Sequence, residues 1–124
     1  MCFAEQLGIF RYQWKGSNKQ MDYITLIQNC IDYIEQNILE QMNYNKMAKQ
    51  AHMSCYNFHR IFSMLAGMTV NEYVRRRRLS KAGQEVMETD EKIIDLALKY
   101  GYDTPEGFTK AFTRFHGVSP LTMR

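Results

Sequence analysis

Two related copies of one pattern lie in the last two-thirds of the chain. Five positions of the first copy recur fifty residues later with identical or similar side chains. Just upstream the spacing falls to 49 residues, which indicates that one residue has been inserted or lost in the turn before the N-cap. A pattern repeated over this length predicts one supersecondary unit used twice. Phe58, Arg60, Phe62, Gly67 and Thr69 pair with Phe108, Lys110, Phe112, Gly117 and Ser119, while Ala48, Ala51 and Met53 pair with Ala97, Tyr100 and Tyr102.

Each copy has the signals of two short helices separated by a tight turn. In the first copy, Ser54 is a good N-cap for a helix over residues 55–66, and Gly67 stops that helix. In the second copy, Thr104 followed by Pro105 at the first helical position starts the equivalent helix. A short helix with a buried alanine precedes each. This order predicts a helix-turn-helix unit in each copy.

The rest of the chain also has helical signals. Isoleucines at three- and four-residue spacing follow Asp22, a potential N-cap, and Cys30 beside them is predicted to be a core residue. Thr69 and Glu72 form a capping box that opens a long helix, and Asp90 can cap another. We therefore expect an all-α fold of seven helices, which form two helix-turn-helix subdomains joined by a long connector helix. The predicted helices cover about residues 23–38, 45–51, 55–66, 69–88 and 91–99, and two more begin at Pro105 and Pro120.

These signals divide the chain into four segments. Residues 1–20 are a leader or linker of unknown role, residues 21–68 the first helix-turn-helix subdomain, residues 69–88 the connector helix and residues 89–124 the second subdomain. Three interpretations of the leader stay open. It is a linker from a missing sensor domain, residues upstream of a true start at Met21, or a partner-binding segment built on Phe10, Tyr12 and Trp14.

Composition and charge exclude several classes of protein. With 45% apolar and 23% charged residues the chain is globular, and no apolar run approaches the ~20 residues that a membrane span needs. Its three cysteines, which include no CxxC spacing, predict reduced thiols and a cytoplasmic location. Residues 1–42 carry three basic and five acidic side chains, whereas residues 43–124 carry thirteen basic and eight acidic ones. The excess positive charge therefore lies in the part that contains the repeat.

The second helix of each copy has an apolar face and a polar face. Apolar residues recur at i, i+3, i+4 and i+7, and polar residues repeat this spacing two positions earlier, about 200° away around the helix. We expect the apolar sets to face the core and the polar sets to face outward. The apolar sets are Phe58, Ile61, Phe62 and Leu65, then Phe108, Ala111, Phe112 and Phe115. The polar sets are Tyr56, His59, Arg60 and Ser63, then Glu106, Thr109, Lys110 and Thr113.

The polar sets contain side-chain types that contact base pairs. A major groove about 12 Å wide accepts an α-helix, and within it Arg or Lys pairs with guanine and Glu with cytosine. The predicted connector helix is roughly 30 Å long. This is close to the ~34 Å between successive major grooves on one side of a duplex. We therefore expect Arg60 and Lys110 to face the same side of the molecule, one pitch of the duplex apart.

Several stretches resemble a known family, the DNA-binding domain of AraC/XylS transcription regulators. They are IDLA at 94–97, GY at 101–102, FTKAF at 108–112 and FHGVSP at 115–120, with Arg78-Leu79 in the long helix. The resemblance extends from about Asp22 to Arg124. It implies seven helices in two helix-turn-helix units, an asymmetric promoter site in double-stranded DNA, and activation of transcription. RNA polymerase and a sensor domain missing from this chain are the further partners it implies, and no membrane is involved.

The resemblance also implies roles for single residues, through the positions that match the family pattern. The resemblance assigns base reading to the two polar sets, with Arg60 and Lys110 as the strongest candidates. Three positions depart from the family pattern: His52 replaces the turn glycine, Met123 replaces an aromatic residue, and Gly107 lies inside the second reading helix.

Contacts with the DNA backbone are expected from helix N-termini and from the arginine run. Arginines 75–78 project at 100° intervals, so they cannot share one face and some must serve structure. Arg78 is expected to be paired within the connector. The predicted backbone contacts are Ser54, Arg75, Arg76 and Thr104.

Other functions remain as alternatives. Because every amphipathic helix has a polar face, the chain could instead be a helical protein–protein interaction module without DNA binding. Cys55 and His59 lie four residues apart on a helix, but the sequence places no further metal ligand beside them, and no nucleophile constellation or phosphate-binding glycine loop is recognisable. We therefore expect no enzymatic activity, cofactor or metal. Three methionines at helical positions are predicted to fill the core: Met47, Met64 and Met87.

Overall fold

The computed structural model describes residues 19–124, and this part of the chain is helical without a strand. It contains seven helices, as predicted. They are α1 (Lys19–Gln36), α2 (Tyr44–Gln50), α3 (Cys55–Ala66), α4 (Val70–Glu88), α5 (Ile93–Lys99), α6 (Pro105–His116) and α7 (Pro120–Met123). None of the helices in residues 19–124 combines the length and apolar character needed to cross a membrane. The predictions for the leader concern residues outside this range, apart from its last two residues.

The structure divides into two compact units, and the boundary falls within α4, between Tyr73 and Val74. The first unit holds α1, α2 and α3. The second holds most of α4 together with α5, α6 and α7. Each unit has its own set of buried apolar side chains.

The core of the first unit is formed by the isoleucine stripe of α1 and two phenylalanines of α3. Phe58 and Phe62 are fully buried, and the ring of Phe62 meets that of Tyr73 edge-on at 5.9 Å between centroids. The Tyr73 hydroxyl donates a hydrogen bond of 3.5 Å to Glu35 on α1. The buried isoleucines are Ile27, Ile31 and Ile34 of α1, and Ile38 just after its end.

The core of the second unit is formed by one face of α4, α5 and α6. Phe108 and Phe112 are fully buried, with ring centroids 5.6 Å apart, and Tyr102 meets Phe108 edge-on at 5.4 Å. Met123, which replaces an aromatic residue of the family pattern, packs against this core and is partly buried. The core residues contributed by α4, α5 and the C-cap of α5 are Leu79, Ala82, Val86, Leu96, Ala97 and Tyr100.

The repeat seen in the sequence is also present in the backbone hydrogen bonds. In the turn of the first copy, the Met53 amide donates to the Ala48 carbonyl at 3.0 Å, and in the second the Tyr102 amide donates to the Ala97 carbonyl at 2.8 Å. At the ends of α3 and α6, Gly67 and Gly117 adopt positive φ angles of 77° and 84°. Their amides donate to Ser63 and Thr113, which are equivalent at spacing 50. The two copies are therefore equivalent structures with one extra residue in the second turn.

Two predicted helix starts are wrong. α1 begins at Lys19, so Asp22 lies inside the helix and does not cap it. α5 begins at Ile93, and its N-cap is Lys92, which makes no side-chain capping bond, instead of Asp90. The predicted caps at Ser54, Thr69 and Thr104 are confirmed, because each side chain accepts a hydrogen bond from the backbone amide three residues later.

The burial of several single residues differs from the prediction. Met47 is buried and Cys30 is in the core, as expected, and burial raises the pKa of the Cys30 thiol to about 11. Met64 and Met87, however, are 70% and 65% exposed, so they do not fill the core. Phe115 is 39% exposed and does not belong to the inward set of α6. Met64 lies four residues after Arg60, which places it on the polar face of α3 and explains its exposure.

Candidate nucleic-acid interface

The first predicted reading face lies on α3, opposite the buried phenylalanines. Tyr56 is 76% exposed at the start of the helix, Arg60 is exposed, and Ser63 is half-buried. The Arg60 guanidinium approaches the Met64 sulfur at 3.9 Å, a weak contact that leaves its remaining donors available for another partner. Arg60 therefore presents charge and hydrogen-bond donors to solvent.

His59 belongs to the same face but is also a packing residue. Its ring meets those of Tyr44 and Phe58 edge-on, at 5.4 and 5.5 Å between centroids. The side chain is half-buried, so only part of the imidazole can reach a ligand. The contact with Tyr44 packs α3 against α2 within the helix-turn-helix unit.

The second predicted reading face lies on α6 and is a shallow depression. All four predicted side chains, Glu106, Thr109, Lys110 and Thr113, line it together with Pro105 and Arg114. Glu106, Lys110 and Thr113 are exposed, and Thr109 is half-buried. The structure thus brings the four predicted residues of the second copy onto one concave face.

Gly107 does not interrupt α6. Its amide donates a 3.0 Å hydrogen bond to the hydroxyl of Thr104, the N-cap, and the helix continues to His116. In the first copy the equivalent bond joins the Asn57 amide to Ser54 at 3.1 Å. Both capping residues are exposed at the start of a reading helix. Their hydroxyl oxygens already accept one hydrogen bond each, and the hydroxyl protons can still be donated to an anion.

The arginine run of α4 separates into different environments. Arg75 and Arg76 line a hollow in the second unit together with Arg114 and Phe115 of α6. Arg78 lies against the second turn, where its Nη1 is 3.8 Å from the Cβ that a side chain at Gly101 would carry. Arg78 is thus a structural neighbour of the turn.

The charges of this run act on a tyrosine in the turn. Burial raises the pKa of the Tyr102 hydroxyl, and the positive charges of Arg75 and Arg78 partly oppose that rise. Both arginines therefore lie close enough to the turn to be felt there electrostatically.

A separate polar cluster holds α5 to α4. Lys99 forms an ion pair of 2.8 Å with Glu85, and the Tyr100 hydroxyl donates a hydrogen bond of 2.5 Å to the same carboxylate. Partial burial alone would raise the pKa of Glu85, but the hydrogen bonds from Lys99 and Tyr100, with the charge of Lys99, outweigh it and lower that pKa. None of these residues lies on either polar set, so the cluster serves the fold of the second unit.

Metal ligands do not converge in the part of the chain that the structure describes. Among residues 19–124, no three His, Cys, Asp or Glu side chains are grouped so that they could hold a metal ion. Cys55, one of the pair considered for metal binding, is a free and half-buried thiol.

Sequence reasoning did not single out Arg114, which lies beside the predicted polar face of α6. Arg114 lines both the depression on α6 and the hollow beside the arginines of α4. The available signal was its position four residues after Lys110, which extends the polar face by one turn.

Comparison with protein families identifies the fold. A family model described as a helix-turn-helix domain matches residues 47–124, which is more than half of the chain. Two relatives support the match. The chain is 36% identical over 84% of its length to the uncharacterized HTH-type transcriptional regulator YbfP of Bacillus subtilis, and 32% identical over 81% to the HTH-type transcriptional activator AarP of Providencia stuartii. It spans 35% of YbfP and 74% of AarP.

A solved structure has the same arrangement of helices. The DNA-binding domain of AdpA, a global transcriptional factor solved in complex with a target DNA, superimposes with a TM-score of 0.68. The alignment covers 77% of this chain and 86% of that domain, at 23% identity, which supports the fold. The family match and the identity to AarP show that the chain belongs to the AraC/XylS family of helix-turn-helix transcriptional regulators.

Proposed function

We propose that this protein binds promoter DNA sequence-specifically and regulates transcription, and that it inserts α3 and α6 into two successive major grooves of one duplex. The observation that carries the proposal is the pair of polar faces. The second helix of each repeat copy, α3 or α6, exposes the same side, with a cation at the same repeat position, Arg60 or Lys110. An α-helix of this kind fits a groove about 12 Å wide.

The residue roles follow from exposure and chemistry. Arg60 and Lys110 are proposed to pair with guanine, and Glu106 with cytosine. The remaining members of the polar sets, Tyr56, His59, Ser63, Thr109 and Thr113, complete the two faces. Backbone phosphates are proposed to be held by Ser54, Thr104, Arg75 and Arg76.

Activation of transcription and two partners belong to the same proposal. AarP is described as a transcriptional activator, which supports activation here. An activator bound at a promoter needs a contact with the transcription machinery, so RNA polymerase is the proposed protein partner. A sensor domain outside this chain is proposed as a further partner, as the resemblance to AraC/XylS regulators implies. The protein is proposed to act in the compartment that holds the DNA, which in bacteria is the cytoplasm.

Salt dependence of duplex binding tests this function against the alternative of a helical protein-interaction module. The affinity for a duplex is measured by fluorescence anisotropy from about 50 to 200 mM salt. If the two faces neutralise about six phosphates, log K should fall against log salt with a slope near −5. A flat response, or no binding to any duplex, would contradict the proposal and favour the interaction module.

Arg60→Ala tests the role of a single base-reading residue. The variant should lose about 1–3 kcal/mol of affinity for the preferred duplex and should relax the preference at one base position. An equal loss on preferred and scrambled duplexes would assign Arg60 to a phosphate instead.

A further inference from the structure

The two copies differ in charge at the end of the reading helix. At spacing 50, Arg114 and Phe115 of α6 correspond to Met64 and Leu65 of α3. In the first unit, Met64 and Leu65 line a mainly apolar depression with Tyr23, Ile61 and Arg60. The equivalent end of α6 instead lines the hollow that Arg75 and Arg76 share. The second unit therefore brings three arginine side chains to line one hollow, whereas the equivalent depression of the first unit is lined by one arginine and mainly apolar side chains.

The shape and chemistry of this hollow fit a phosphate group. We call it the arginine hollow, defined by Arg75, Arg76, Arg114 and Phe115, and its volume is about 390 Å³. One water occupies about 30 Å³ in the liquid, so the hollow admits a phosphate with its remaining hydration. Guanidinium groups bind phosphate oxygens through paired N–H donors. Phe115, 39% exposed, supplies an apolar wall on one side of the hollow.

Arg114 connects the arginine hollow to the proposed reading face. It lines the hollow on one side and the depression with Lys110 and Thr113 on the other. An α-helix with its side chains is about 10–12 Å wide, so it fills a major groove of about 12 Å. The phosphates that border the groove must then lie beside the helix, at its flank.

We propose that the arginine hollow clamps one phosphate of the DNA strand that borders the groove occupied by α6. This proposal rests on the proposed function and adds Arg114 and Phe115 to the interface. It also makes the two units unequal, because the second unit holds the backbone at this position whereas the first does not. The clamp carries no base information, so it acts alike on every sequence.

Arg114→Gln tests the clamp without disturbing the core, because Arg114 is exposed. Affinity is measured against salt for a preferred duplex and a scrambled one. We expect a loss of up to about fivefold, typical of an exposed ion pair, on both duplexes alike. The salt slope should become shallower by about 0.9, the value for one phosphate. Arg114→Lys should restore the slope, since it restores the charge, but only part of the affinity.

Lys92→Gln is the matched control. Lys92 is an exposed cation of the same unit that does not line the arginine hollow, so its removal should leave the slope unchanged. A slope that is unchanged in Arg114→Gln, or equally reduced in Lys92→Gln, would overturn the clamp. These outcomes differ from failure of the proposed function, in which wild-type protein itself shows no salt-dependent duplex binding.

A second measurement separates a DNA phosphate from a free anion. Arginine Nε–H signals are followed by NMR while a duplex or inorganic phosphate is added at matched ionic strength. The clamp is supported if the duplex shifts the Nε–H signals of Arg75 and Arg76 in the wild-type protein and does not shift them in Arg114→Gln. Saturation by micromolar inorganic phosphate would mark a site for a small anion and overturn the assignment to DNA.

Discussion

The imidazole of His116 occupies the space that a side chain at position 83 would need. A Cβ placed on Gly83 would lie 2.6 Å from His116 Cε1 and 2.7 Å from Nε2, shorter than real Cβ contacts. The ring cannot easily move away. Its Nε2 lies 2.8 Å from the Leu79 carbonyl, and its centroid is 4.2 Å from that of Phe112. Gly83 therefore permits α6 to pack closely against α4 in the second unit.

Gly83→Ala should consequently destabilise the protein, although alanine favours helix by about 1 kcal/mol relative to glycine. Overpacking of a closed contact costs about 1–3 kcal/mol, which exceeds that gain or cancels it. Urea unfolding measures the difference. The control is Gln84→Ala, an exposed neighbour on α4, which should change the free energy of unfolding by less than about 0.5 kcal/mol. A Gly83→Ala protein more stable than wild type would show that this contact is absent in solution.

The Glu85 cluster predicts how stability depends on pH. The folded-state pKa of Glu85 is lowered, so the stabilisation is present above the ordinary value of 4.5 and is lost as the pH falls through the folded-state pKa. Tyr100→Phe removes one donor to the carboxylate and should cost about 1–2 kcal/mol at neutral pH. Its loss of stability on acidification from about pH 5 to pH 3 should also be smaller than that of wild type. Identical acid profiles for the two proteins would contradict the coupling.

Two phenylalanines of one helix should differ sharply in their contribution to stability. Phe112 is fully buried between Phe108 and His116, so Phe112→Ala should cost about 3–5 kcal/mol through the cavity it leaves. Phe115 is 39% exposed, and Phe115→Ala should cost less than about 1 kcal/mol. Thermal and urea unfolding compare them. Equal losses would mean that the inner face of α6 is wrongly assigned.

The two turns should respond in opposite directions to glycine and alanine. His52 has a φ of 58° and Gly101, its equivalent at spacing 49, a φ of 88°. A non-glycine residue in this region costs about 1–2 kcal/mol. Part of the gain from His52→Gly is lost to chain entropy, so we expect a stabilisation of about 0.5–1 kcal/mol. Gly101→Ala should destabilise by about 1–2 kcal/mol. Unfolding curves in urea measure both changes, and destabilisation by His52→Gly would show that the imidazole has a structural role.

The sequence predicts helices well where the signals are local. Ser54 and Gly67 bound α3 at the predicted residues, because capping and the left-handed glycine act within one turn. The start of α5 was missed, since Asp90, Glu91 and Lys92 are consecutive polar residues and none of them forms a side-chain cap there. A local pattern could not choose among them.

The burial of single side chains, and the grouping of side chains from different helices, depend on tertiary packing, which a periodic sequence pattern does not specify. Met64, Met87 and Phe115 were assigned to the core from helical spacing, yet all three are exposed; Met64 lies four residues after Arg60 and therefore belongs to the polar face of α3. That Arg114 and Arg75 line one hollow was also beyond the sequence, because it depends on how α4 and α6 pack within the second unit. The polar faces themselves were predictable, since helical periodicity alone defines them.

Selection of bound duplexes from a random pool tests the central claim most directly, since it reports how many grooves are read and by which residues. Wild-type protein should select two half-motifs separated by one helical turn, about 10 base pairs. Arg60→Ala should lose a preferred base in one half-motif and Lys110→Ala in the other. A single half-motif in the wild-type pool, or variants that retain both half-motifs unchanged, would contradict reading by α3 and α6 together.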